Sequence, residues 1–174
     1  MKVRLEPTCG GKVMSRAGSW IFCLAVGLIV VPANAAAPYE VLGYRLGQPM
    51  QQALALNKTR AAKPCGDRQC LTFDANYLGR AATISLELDK VEGVRRIAFN
   101  ISTDKQPDHP DCAKLGGSVV AAIAKLYGRF NESDPGATYT WLDGEQKLKI
   151  YAVCVTANSG TITGLYQKVG ATAH

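Results

Sequence analysis

Histidine is nearly missing from this 174-residue chain, which has two, and aromatic residues make up only 7%. So little histidine removes the commonest general base and one of the two main zinc ligands. No uncharged apolar run reaches the ~20 residues that a membrane-spanning helix needs; residues 20–31 supply 12. Nucleotide and hydrolase signatures are missing too: there is no G-x-G-x-x-G, phosphate-binding loop, H-E-x-x-H or G-x-S-x-G. The 17 glycines and eight prolines follow no period, which excludes a fibrous repeat. With 47% hydrophobic and 20% charged residues, the chain has ordinary globular usage. That excludes a disordered charged tail and a coiled-coil rod.

What is present begins with the N-terminus. Lys2, Arg4, Lys12 and Arg16 precede the apolar run Trp20–Val31, and Pro32-Ala33-Asn34-Ala35 follows it. A basic stretch, a short apolar core and small residues at an A-x-A site make a secretory signal peptide. Residues 1–35 are therefore expected to be cleaved after Ala35, with Met14 as an alternative start. The remaining 36–174 are expected to form a single exported domain, periplasmic or secreted. Cleavage removes four of the 20 basic residues and one of the 14 acidic ones, leaving a mild net charge of +3. A mildly basic exported chain argues against a nucleic-acid partner, and membrane contact is expected only through the export signal.

Four cysteines remain after cleavage: Cys65, Cys70, Cys112 and Cys154. An even number in an exported chain points to disulfides, and four permit three connectivities. Cys65 and Cys70 flank a short polar turn and are close by necessity. Cys112 lies on the apolar stripe of a helix, and Cys154 shares a strand face with Leu148, Ile150 and Ala152. If that helix packs on that sheet, Cys112 meets Cys154. Zinc would want C-x-x-C pairs or histidine partners, and only His109 and the terminal His174 are on offer. Neither a metal nor a cofactor is expected.

Periodicity outlines the rest. A short strand is expected over 39–44, then a helix opened by Pro49 with Met50, Ala53 and Leu54 on one face. Residues 58–70 read as loop, 70–73 as a short strand and 76–79 as a turn. Ala82, Ile84, Leu86 and Leu88 alternate with polar neighbours, as do Ile97, Phe99 and Ile101, so 82–89 and 94–102 form a hairpin. After a Pro-containing linker, Cys112, Leu115, Val119, Ala122, Ile123 and Leu126 recur at helical spacing over 111–127. Asp111 stands at the N-cap position and Gly128 at the C-terminal glycine position. A loop over 131–136 and three strands, 138–142, 147–155 and 161–167, complete the chain.

The expected fold is therefore α+β: antiparallel sheet with helices packed on one face, stapled by disulfides. Residues 48–102 and 111–167 both read helix-strand-strand-strand, which suggests two tandem α-β-β-β units. Leu46-Gly47-Gln48-Pro49-Met50 opens the first helix, Leu126-Tyr127-Gly128 closes the second, and strand runs follow each. On these residues the layout resembles the tandem-repeat β-lactamase-inhibitor proteins and the small outer-membrane lipoproteins of the SmpA/OmlA type. The resemblance covers most of 36–174 in layout. The chain departs from the lipoproteins in having no lipid-bearing cysteine after the signal. The resemblance implies a protein that binds other proteins through an exposed sheet face and loops.

Few residues suggest catalysis. His109 lies between Asp108 and Asp111, and the residue pattern favours a solvated linker histidine. Glu87 and Asp89 share a strand face as a conceivable acid–base pair, though a solvated face is the ordinary reading. Arg60, Lys63 and Arg68 surround the Cys65–Cys70 turn. The more suggestive set is Tyr139, Trp141, Lys149, Tyr151 and Val153. If Tyr139 and Trp141 share the side of Tyr151, the five form an exposed aromatic strip of the kind that anchors interfaces. The expected function is non-enzymatic recognition of a protein or envelope component, as an inhibitor, immunity or assembly accessory. The alternative is a hydrolase-like or ligand-binding protein with a pocket between the two halves.

Overall fold

The fold is seen in a computed structural model that describes residues 39–58, 60–134 and 138–169, without the side chain of Asp134. The export leader expected over 1–35 lies outside the described residues. Among those described, no helix is long and apolar enough to cross a membrane.

A tight two-stranded turn comes first, β1 (Glu40–Val41) against β2 (Tyr44–Arg45), rather than the single strand expected over 39–44. Its corner needs positive φ at Leu42 and Gly43. The short helix α1 (Met50–Leu56) follows Pro49 and buries Ala53. Four strands come next: β3 (Lys63–Cys65), β4 (Arg68–Tyr77), β5 (Arg80–Asp89) and β6 (Gly93–Ser102). A 3-10 turn (Thr103–Lys105) leads into helix α2 (Cys112–Tyr127). Another four strands close the chain: β7 (Glu132–Asp134), β8 (Thr138–Asp143), β9 (Gln146–Thr156) and β10 (Ser159–Lys168).

Apart from β1 and β2, all the strands join one eight-stranded antiparallel sheet of order β3-β4-β5-β6-β10-β9-β8-β7. Each helix is thus followed by a four-strand meander, and the two meanders meet where β6 pairs with β10. Sequence periodicity found three strands in each half. The fourth in each case, β3 and β7, is a three-residue edge strand inside an expected loop.

One face of this sheet carries the core. In register across it lie Phe73, Ile84, Phe99, Gly164, Ile150 and Tyr139, with Leu71, Leu86, Ile97, Tyr166, Leu148 and Trp141 beside them. All but Gly164 and Tyr139 are buried hydrophobic residues. At about 25 cal/mol per Å² of apolar area, this face is the main source of stability. Gly164 is required for packing: a Cβ there would overlap the Phe99 ring, which lies across the strand.

Helix α2 covers the β9–β10 end of the face through Cys112, Leu115, Gly116, Val119 and Ile123. Gly116 lets it approach closely, since a Cβ there would meet Ile162 Cδ1 at 3.4 Å and Ala152 at 3.7 Å. Leu126, expected on the same stripe, points outward. Asp111 caps the helix as expected, accepting from the N–H groups of Ala113 and Lys114 at 3.0 Å each. β2 and α1 pack toward the central strand β6. Both disulfides are formed, Cys65–Cys70 and Cys112–Cys154. The second ties the first turn of α2 to β9, the contact that their apolar patterns required.

Tyrosines fill the join between helix, N-terminal segment and sheet. The Tyr77 and Tyr166 hydroxyls lie 2.9 Å apart in the core. Tyr39 stands edge-on to Tyr127 at 4.8 Å, and the Tyr127 hydroxyl exchanges hydrogen bonds with both backbone groups of Glu40. Burial raises the Tyr77 and Tyr166 phenols above their ordinary range. Tyr39 is pushed up to about 12, first by burial and then by the charge of Asp143.

Candidate functional site

Among the described residues no helix lies over the opposite face of the sheet, and its two halves differ. In the β4–β6 half, polar side chains pair with one another, with Arg68 Nε left without a hydrogen bond. Glu87 is held between Arg68 at 2.9 Å and Arg96 at 2.6 Å. Thr83 donates to Asp74 at 2.7 Å, and Lys105 reaches the same carboxylate oxygen at 3.1 Å. The Thr72 and Ser85 hydroxyls meet at 3.2 Å, and Thr163 on β10 donates to Asn100 at 2.7 Å.

The β8–β9 half has no such ties. Lys147, Lys149, Tyr151, Val153 and Val155 line one side of β9, with Thr138, Thr140 and Leu142 beside them on β8. Among the described residues, no side-chain hydrogen bond or ion pair reaches Lys147, Lys149 or Tyr151. Val153 and Val155 are 56% and 78% exposed, and Leu142 is exposed too. Beside them, Glu132, Ser133, Thr138, Thr140, Lys147 and Lys149 enclose a shallow concavity of about 420 Å³. The surface is thus a row of two unpaired ammonium groups, a phenol and two valines on a rigid strand.

The five candidate binding residues do not share it. Lys149, Tyr151 and Val153 lie on the open face, but Tyr139 and Trp141 belong to the core face, corresponding to Ile150 and Leu148. Trp141 is 1% exposed, and its indole N–H donates to the Gly128 carbonyl at 2.9 Å. Phe130 stands edge-on to both rings, at 5.1 Å from Tyr139 and 5.9 Å from Trp141. The reason is register. A two-residue turn pairs odd positions of β8 with even positions of β9, and Asp143 sits opposite Gln146. The Asp143-Gly144 turn signal, carried through to cross-strand pairing, was enough to put both rings with Leu148. Alternation within each strand cannot choose the face by itself. Strand alternation also puts Val155 on this face; Lys147 and Leu142 are the residues there that the sequence reading left out.

No protein-family model, no curated protein and no solved structure matches this chain. Function is therefore read from geometry alone, including that of the other candidates. His109 is exposed in the linker, with φ +38°, and both flanking carboxylates are engaged elsewhere. Asp108 binds Arg80 through both oxygens at 2.8–2.9 Å, and Asp111 caps α2. Glu87 is clamped by arginines, while Asp89 accepts from the N–H groups of Val91 and Glu92 at 2.7 and 3.0 Å. These turn contacts, Glu92 foremost, hold Asp89 below the usual carboxylate range. Neither residue is poised to pass a proton. Of the basic set, Arg68 is spent on Glu87 and Arg60 lies 5.7 Å over the Phe73 ring.

A cleft of about 870 Å³ lies elsewhere than between the halves. It lies where the β4–β5 turn faces the linker, between Asp74, Asn76, Arg80 and Lys105, Gln106, Asp108. Its two carboxylates are held below the usual range, Asp74 by Thr83 and then Lys105, and Asp108 by Arg80. At neutral pH they are ionised partners of fixed cations, which suits a structural tie and gives no proton donor.

Proposed function

We propose that this is an exported, periplasmic or secreted binding protein without enzymatic activity. It recognises another protein or an envelope component through the open β8–β9 face, as an inhibitor, immunity or assembly-accessory protein does. In this reading 48–102 and 111–167 are tandem units of one ancestral helix-plus-meander module. One retains a self-satisfied polar face and the other presents the binding surface.

The observation that carries the reading is the contrast between the two halves. The charged groups on the β4–β6 face pair with one another, whereas Lys147, Lys149 and Tyr151 have no partner among the described residues and adjoin exposed Val153 and Val155. Solvent-facing valines and a phenol beside unpaired cations are the composition of an interface that meets an acidic, partly apolar surface. The two disulfides fit an oxidising compartment.

A photo-reactive residue in place of Val153 tests this in cells. Irradiation is expected to yield one discrete adduct with an envelope or secreted protein. The same residue in place of Leu126, exposed on α2, is expected to yield none. Equal labelling from both positions, or none from Val153, would defeat the proposal.

A further inference from the structure

The two edges of the sheet are finished differently. On the β7 side, the Asn131 N–H donates to the Thr140 carbonyl at 2.8 Å, and its side-chain oxygen accepts from the Leu142 N–H at 2.6 Å. Within the sheet, where β6 falls short of β5, Gln106 stands in for a strand. Its Oε1 accepts from the Ala81 N–H at 3.2 Å and its Nε2 donates to the Ala81 carbonyl at 2.9 Å. The fold thus caps exposed backbone with side chains at two places.

It does not do so on β4. There β3 pairs only with Arg68–Cys70, leaving Leu71–Tyr77 without a neighbouring strand on the side away from β5 among the described residues. Two registers agree on which backbone groups face outward. Tyr77 and Arg80 flank a two-residue turn, so Tyr77, Ala75 and Phe73 direct their N–H and C=O to β5. Ala81, opposite Asn76, bonds to Gln106 on its far side, so Asn76 likewise faces away from β5. Cys70 and Arg68 already serve β3 on the same outer side. Thr72, Asp74 and Asn76 therefore present three N–H and three C=O groups along the edge. Among the described residues no hydrogen bond reaches any of the six.

Proteins ordinarily blunt such an edge with Lys, Pro or a bulge. Leu71–Tyr77 has no Lys or Pro, and its pairing with β5 runs without a register shift. Its one charge, Asp74, is on the open face and is bound by Thr83 and Lys105 through Oδ1 alone, which leaves Oδ2 without a partner among the described residues. At roughly 3.3 Å per residue these seven residues offer a straight template of about 23 Å.

We propose that the β4 edge is a strand-addition site, which takes an extended segment of a partner protein antiparallel to β4, with a basic side chain across from Asp74. Main-chain hydrogen bonds to Thr72, Asp74 and Asn76 supply the affinity, and the Asp74 carboxylate supplies a preference. A second copy of this chain fits worse. Two-fold pairing through the same groups sets Asp74 against Asp74, Thr72 or Asn76, so no basic residue meets it. This site is at the opposite end of the sheet from β8–β9 and does not depend on that face being functional.

The test uses amide exchange on the ¹⁵N-labelled mature chain. The probe is a capped seven-residue peptide of alternating Val and Thr with Lys at its centre. Without peptide, the amides of Thr72, Asp74 and Asn76 should exchange like loop amides while those of Phe73 and Ala75 stay protected. Peptide should protect all three. A Glu-centred peptide should bind up to about fivefold more weakly, the scale of one cross-strand charge pair. Asn76→Pro should fold, since it removes an N–H that bonds to nothing among the described residues, and should lose peptide binding. Ala75→Pro, which removes a ladder N–H, should not fold. The proposal is overturned if the Lys peptide leaves the three amides unprotected, or if Asn76→Pro unfolds or still binds. Protection of the same amides in a concentration-dependent dimer without peptide would also overturn it, and would assign the edge to a second copy.

Discussion

Replacing Trp141 with Ala should cost the protein much of its stability. The indole is 1% exposed, corresponds to Leu148 across the strand pair, contacts Phe130 edge-on and bonds to the Gly128 carbonyl at the end of α2. Truncating a buried Trp to Ala typically costs about 3–5 kcal/mol through lost transfer energy and the cavity left behind. The lost hydrogen bond adds little, because Gly128 is exposed and water can replace the donor. In a domain of this size 1 kcal/mol shifts Tm by about 3 °C, so the fall should be about 10–15 °C. Trp141→Phe should recover most of it. Calorimetry on the oxidised, leader-free chain is the assay. Trp141 is the sole tryptophan beyond residue 35, so wild-type fluorescence reports its environment directly. A fall below about 3 °C would refute the core placement and restore Trp141 to the open face.

Other outcomes follow from the same structure. Cys112–Cys154 spans a sequence separation of 42 and Cys65–Cys70 one of 5. In the chain-entropy model, replacing the first pair with Ser should therefore cost about 4 kcal/mol against about 2 for the second, measured by urea unfolding. An equal cost would mean that the long bridge is offset by strain or residual structure. Tyr39, Tyr77 and Tyr166 have folded pKa values raised above the ordinary 10, to about 12 for Tyr39. Their contribution is present in full below pH 10 and is lost as pH rises from there through the folded values. Ultraviolet titration should show these three ionising at the alkaline unfolding transition; phenolates from them in the native state at pH 10 would contradict the burial. Asp74 and Asp108 are lowered, so the ties of the 103–108 segment to Asp74 and Arg80 should hold above the ordinary carboxylate range and loosen as pH falls through the lowered values. Side-chain carboxyl NMR shifts check this, and titration at the unperturbed value would contradict it.

Much of this architecture was readable from residue patterns. Asp111 and Gly128 bracket α2 because a carboxylate cap and a positive-φ glycine are needed there, and the structure gives Gly128 φ +80°. The strict alternation of β5 and β6 marked a sheet with one buried face. The Cys112–Cys154 pairing followed from two apolar stripes that had to meet. What escaped has physical causes. Three-residue strands such as β3 and β7 pair through backbone alone and show no period. β4 alternates Leu71, Phe73, Ala75 and Tyr77, but Asp74 and Asn76 imitate a turn because the open face tolerates any polar residue. Trp141 was misplaced because alternation gives two faces and only cross-strand register says which is buried.

The claim that the β8–β9 face binds a partner is tested most directly by Tyr151→Ala, with partner binding and Tm measured on the same preparation. The phenol lies on the open face and has no hydrogen-bond partner among the described residues. The account predicts affinity for the protein captured through position 153 falling by about 2 kcal/mol or more, the scale of an aromatic anchor. Tm should stay within about 2 °C of wild type, because a surface truncation leaves no cavity. Unchanged affinity with unchanged Tm would contradict the account.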